Sequence, residues 1–153
     1  FIILVIRCSS IIYFSYIIVS NSVKLYRFVL PTIGLSEDEK CFLYSCLAHL
    51  HKINKNPCRL KQYLKYEKEL NVKNIHFPMT IDQIKVFEYD NPLLSINVLS
   101  YDSGTLVPVY VSKNRTVRSN KFKINLLLYK GHYYLVRSLS SILNNQLPHA
   151  NHR

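Results

Sequence analysis

Residues Phe122 to Leu139 read FKINLLLYKGHYYLVRSL. The run from Ile124 to Tyr129 has the length of a strand and is almost continuously apolar, which fits a largely buried strand. Lys130-Gly131 then closes a tight hairpin into a second strand that opens at His132. An imidazole at that position stands at the rim of a sheet, where it could act on a neighbouring group.

Upstream, LLSINVLSY alternates Leu94, Ile96 and Val98 on one side, DSG supplies a turn, and LVPVYVS resumes as a strand. Pro108 has no N–H to give to a ladder, so this strand belongs at an edge or a bulge. Helical patterns precede these strands. Leu43, Cys46, Leu47 and Leu50 recur at helical spacing, with Ser36 or Asp38 available as a cap and Glu37 and Glu39 favourable near the amino end. Asn56-Pro57 reads as a cap and first helical residue before Leu60, Tyr63, Leu64 and Leu70, with Lys61, Lys65, Glu67, Lys68 and Glu69 mostly on the solvated side. Thr80 and Gln83 have capping-box spacing at the start of a short helix carrying Ile81, Ile84 and Phe87. Helices first and a mostly antiparallel sheet afterwards define an α+β fold.

At 153 residues the chain has the length of one domain with a sizeable core. VLPTIGLSEDEK, with Pro31 and Gly34, has linker composition, so residues 1–35 form a hydrophobic stretch and linker, 36–147 the domain and 148–153 a tail. The opening FIILVIRCSSIIYFSYIIVS is about as long as a membrane span, but Arg7 and scattered serines interrupt it. Its β-branched composition suits one or two buried strands equally well, no signal-type cleavage site follows, and a membrane partner is not expected. Cys8, Cys41, Cys46 and Cys58 contain no C-x-x-C pair or scaffold spacing, which points to free thiols in a reducing compartment, nucleus or cytoplasm.

With 20 Lys and Arg against 9 Asp and Glu, the formal charge of +11 favours polyanionic partners. Codon bias towards Lys, Asn, Ile and Tyr would produce the same balance. The densest basic segment is the loop holding Lys113, Arg115, Arg118, Lys121 and Lys123, the best candidate for contact with DNA phosphates. No cofactor is expected, because three glycines cannot build a Gly-rich phosphate loop. No metal is expected either: Cys46, His49 and Cys58 lack the paired short knuckles of zinc sites, and core packing suits Cys46 better. His149 and His152 fall in the tail.

Cys41 stands where an acidic segment turns into an apolar helix. The partial positive charge and free amide hydrogens of a helix start stabilise a thiolate, and His132 could serve as its base. A small buried core cysteine and a solvent-facing histidine explain the same residues without chemistry.

DEKCFLYSCLAHL resembles the D-x-x-C-[FL]-[FY] segment of ovarian-tumour-type cysteine proteases, and INLLLYKGHYYLV resembles their terminal strand, turn and His-Tyr segment. The resemblance implies a papain-like fold, a Cys41 thiol activated by His132, Asp38 as the aspartate of the signature, and a polypeptide substrate. More specifically, DEKCFLYSCLAHLH, KNPCRLKQYLKYEKELN, IHFPMTIDQIKVFEYDNPLLSINVL and HYYLVRSLSSIL resemble, in order, an amino-terminal domain of polyproteins and family-B DNA polymerases of Polinton-type (Maverick) transposons. The protease signature has Gly where Glu39 stands here, and Asn or Asp where Tyr134 stands. A tyrosine does not orient an imidazolium as a carboxylate does.

Overall fold

The computed structural model describes residues 3–8, 12–18, 24–25, 39–55, 60–102, 105–114, 122–129, 131–137 and 139, the first three segments as backbone only. Asp38, Cys58, Arg115, Arg118, Lys121, His149 and His152 lie outside them, as do the 35/36 border and the tail. The amino-terminal stretch takes the strand alternative. Strands β1 (Ile3–Cys8), β2 (Ile12–Ile18) and β3 (Lys24–Leu25) form an antiparallel sheet in that order. Among the described residues no helix is long and apolar enough to cross a membrane.

The rest is α+β. Helices α1 (Cys41–Leu50), α2 (Lys61–Leu64) and α3 (Ile81–Asp90) precede strands β4 (Ser95–Asp102), β5 (Thr105–Tyr110), β6 (Lys123–Tyr129) and β7 (His132–Val136). These strands form one sheet in the order β5-β4-β6-β7. The two hairpins are antiparallel, as expected, but the central β4–β6 pair is parallel, in register from Ser95↔Lys123 to Ser100↔Leu128. Alternation within a strand does not reveal which neighbour it takes, and the long segment from Val111 to Phe122 is enough for a crossover. Asn97 and Asn125 face each other across that pair, with a 3.0 Å side-chain bond, and Asn97 Oδ1 accepts the Ser112 N–H as the crossover begins.

Both sheet faces carry apolar side chains. Phe42, Leu43, Cys46, Leu47, Ile84 and Phe87 from the helices pack on Ile96, Val98, Ile124, Leu126, Tyr133 and Leu135. Leu99, Leu106, Leu127 and Val136 form a smaller cluster with Tyr134. Two covered faces explain why Leu126-Leu127-Leu128 is continuous rather than alternating. Pro108 sits in the edge strand β5, one residue from a register shift between Val98 and Leu99.

Three helix expectations need correction. Lys40, not Ser36 or Asp38, immediately precedes α1, and no acid falls in its first turn. The stripe from Leu60 to Leu70 is not one helix: a single α turn is followed by a 3₁₀ turn, Glu67–Glu69. Lys61, Lys65, Lys68 and Glu69 are exposed as expected and Glu67 is half-buried; Tyr44 donates its phenolic O–H to Glu67, Lys40 pairs with Glu67 at 3.7 Å, and His51 Nε2 lies 2.6 Å from Glu69 Oε2. His51 also stacks on Tyr66 at 3.6 Å, so side chains of α1 and its two ends capture the turn and set its path. Thr80 begins α3 without a side-chain cap, and Gln83 Oε1 accepts the His76 N–H, 3.3 Å away, instead of completing the reciprocal half of a capping box. The end of α3 is clasped by buried Asn91, whose side chain accepts the Asn71 N–H and donates to the carbonyls of Asn71 and Phe87.

Candidate active site

Cys41 is the first residue of α1, after Lys40, which supplies no side-chain cap. The helix is buried along most of its length because Phe42 packs edge-on against both Phe87 and Tyr133, each at 5.1 Å between centroids. That packing seats α1 on β7, the outermost strand of the sheet. An outermost strand has one row of backbone groups with no strand to meet. Here the row is met by side chains: Tyr133 donates its N–H to Cys41 Sγ at 3.5 Å and accepts the Ser45 hydroxyl on its carbonyl at 3.3 Å. Cys41 and Ser45 are four residues apart, one turn along a helix face, so together they bracket the Tyr133 backbone. Ser45, 2% exposed, was not singled out from the sequence, although its i, i+4 relation to Cys41 was there to be read.

Cys41 as a residue is 9% exposed. Donation from an amide and a position at a helix start would both favour its anionic form. Burial opposes that form, and at neighbouring Cys46, 0% exposed, burial alone pushes the thiol far up. Burial first, then the Cys41 and Cys46 sulfurs, push the Tyr133 phenol up to about 12. Its O–H donates to the Met79 carbonyl at 3.0 Å.

His132 opens β7, opposite Tyr129, and is exposed. Because its carbonyl carbon is bonded to the Tyr133 nitrogen that reaches Cys41, the His132 Cα lies within roughly 6 Å of Sγ. Its face is a different matter. Tyr133 and Leu135 belong to the cluster under α1, whereas Tyr134 and Val136 belong to the opposite one. Strand alternation therefore assigns His132 to the side away from the thiol, one residue after the turn at Gly131. Tyr134, where the resemblance implies an Asn or Asp, packs against the second cluster.

A cleft of about 760 Å³ opens beside the start of α1, lined by Lys40, Leu43, Leu50, Leu70, Phe77 and Phe122 among others; neither Cys41 nor His132 lines it. Among the described residues no three His, Cys, Asp or Glu side chains converge as metal ligands, and Cys46 is a core residue. Of the five basic residues named for DNA contact, Lys113 and Lys123 are exposed on either side of the undescribed segment. No family model, curated protein or solved structure matches the chain.

Proposed function

We propose that the chain is an ovarian-tumour-type, papain-like domain of a transposon-encoded protein that keeps the framework of a cysteine protease without a working hydrolytic centre, and that serves as a nucleic-acid-associated module. The observation that carries the first part is the engagement of Cys41. The residue is 9% exposed, its sulfur accepts the Tyr133 N–H at the β7 edge, and His132 falls by alternation on the other face. A nucleophile needs its base within hydrogen-bond reach and an open side for substrate. Tyr134 also offers no carboxylate to hold an imidazolium. The second part is supported by the charge of +11 and by exposed Lys113 and Lys123.

Labelling with iodoacetamide across pH tests the first part, with mass spectrometry to assign the modified thiols. A structural Cys41 reacts more slowly than an unfolded thiol at every pH below its ordinary value of about 8.5, and His132→Ala leaves its rate unchanged. Fast alkylation of Cys41 near pH 6 that disappears in His132→Ala would show an active pair and defeat the proposal.

A further inference from the structure

Large apolar side chains left exposed along α3 and β5 include Val86 and Tyr89 on α3, Leu93 just after it, and Val109 and Val111 on and beyond β5. Tyr89 is 85% exposed, more than any other of them. Between the carboxyl half of α3 and the end of β5 lies a cleft of about 540 Å³. Its lining sets Tyr89, Tyr110, Pro92 and Val111 beside two lysines, Lys85 and Lys113. Both lysines are exposed, and that volume lies within the range of sites that hold small organic groups, roughly 300–1,000 Å³.

An open edge strand beside apolar side chains would ordinarily attract another strand. Here Pro108 and the register shift next to it blunt β5 for that purpose. The surface must be read by side chains instead. Glu88 is the one acid in the lining, and its carboxylate points into the protein: Oε1 accepts the Ile96 N–H at 2.7 Å and Oε2 the Tyr110 hydroxyl at 2.6 Å. What faces outward is an aromatic ring flanked by two cations on a strongly basic chain. An exposed ring offers a stacking face to any base, and flanking lysines neutralise the phosphates on either side of it.

We propose that this cleft binds single-stranded nucleic acid, with a base stacked on Tyr89 and the adjoining phosphates met by Lys85 and Lys113. The assignment rests on the nucleic-acid part of the reading above and adds a place and a preference for unpaired strands. It is independent of Cys41.

Fluorescence anisotropy of a labelled short oligothymidylate, titrated with the full chain, tests it. Tyr89→Ala should weaken binding by about 5- to 150-fold, the range for removing one stacked base, while Tyr89→Phe keeps the ring and the affinity. Circular dichroism should show Tyr89→Ala folded, since an 85% exposed ring supports little of the core. Replacing Lys85 and Lys113 by Gln should reduce the slope of log affinity against log salt by about 0.7 for each lysine removed. If Tyr89→Ala binds as the parent does while salt-dependent binding persists, the cleft is the wrong place and the basic loop remains the contact. If the matching duplex binds as tightly as the single strand, stacking is refuted. If neither binds, both the cleft and the nucleic-acid reading fall. Self-association of the chain that Tyr89→Ala abolishes, seen by sedimentation, would overturn the proposal too, since the face would then be taken by a second copy.

Discussion

Glu88 joins three elements that the sequence leaves separate, so its removal should cost far more than a surface glutamate. It sits on α3, is 7% exposed, and accepts from the Ile96 N–H in β4 and the Tyr110 hydroxyl at the end of β5. Glu88→Ala strips a buried amide of its acceptor, at about 1–3 kcal/mol, and loses a second charge-assisted bond whose phenolic donor is half-buried and can turn to water. Against this stands the desolvation of a carboxylate, which the substitution relieves. The orphaned amide wins, because alanine fills neither the volume nor the hydrogen bond, and a net loss of about 2–3 kcal/mol is expected. At a urea slope of about 1–3 kcal/mol per M, the midpoint should fall by about 1–2 M. Tyr110→Phe alone should cost about 1 kcal/mol, and almost nothing when Glu88 is already alanine, leaving a coupling of about 1 kcal/mol in the double-mutant cycle. Glu88→Gln keeps an acceptor for Ile96 and should recover at least half the loss. A Glu88→Ala midpoint within experimental scatter of the parent, or a Tyr110→Phe effect of equal size in both backgrounds, would refute the linkage.

Alkaline pH should destabilise the fold in two stages. A group whose pKa is raised on folding holds its proton more tightly in the folded state, so stability is intact below the unfolded pKa and is lost as pH rises towards the folded one. The buried Cys46 thiol starts the loss near pH 9, and Tyr133, up at about 12, steepens it from about 10. Urea midpoints measured from pH 8 to 11 should show this decline, and Tyr133→Phe should flatten its upper part; a pH-independent midpoint excludes it. Gly131 has φ +77°, and a Cβ there would meet no atom within 4 Å, so Gly131→Ala should cost about 1–2 kcal/mol from backbone conformation alone. Gly131→Asn should be milder, and equal losses for the two would point to a steric cause instead.

The strands and the start of α3 were legible because each carries its own local signal, whereas α1 begins after Lys40 and not on a Ser36 or Asp38 cap. Leu94, Ile96 and Val98 alternate, Pro108 marks an edge beside a bulge, and Gly131 makes the turn its sequence demands. What stayed hidden depends on partners far along the chain. Nothing within Ser95–Asp102 announces that β4 pairs in parallel with a strand that begins twenty-eight residues later at Lys123. The turn Glu67–Glu69 likewise takes its shape from Tyr44 on α1 and from Lys40 and His51 at its two ends, not from its own apolar spacing. The Gln83 half of the expected capping box is lost in the same way, since Gln83 Oε1 meets the His76 amide instead.

The same distinction decides how Cys41 is to be understood. A helix start at Cys41 and a late histidine opening a strand are properties of sequence position, and both were readable. Catalysis, however, requires the imidazole to come within hydrogen-bond reach of a thiol held on α1, and which face of β7 His132 takes is a question of parity. Tyr133 and Leu135 point under α1, which leaves His132 and Tyr134 to the other face. A protease framework with Cys41 on the helix and the base at position 132 therefore needs the chain to break alternation at the hairpin, where Gly131 is the residue with freedom to do so. In this structure the sulfur and its i, i+4 partner Ser45 bracket the Tyr133 backbone at the edge of the sheet, the one accepting its N–H and the other donating to its carbonyl.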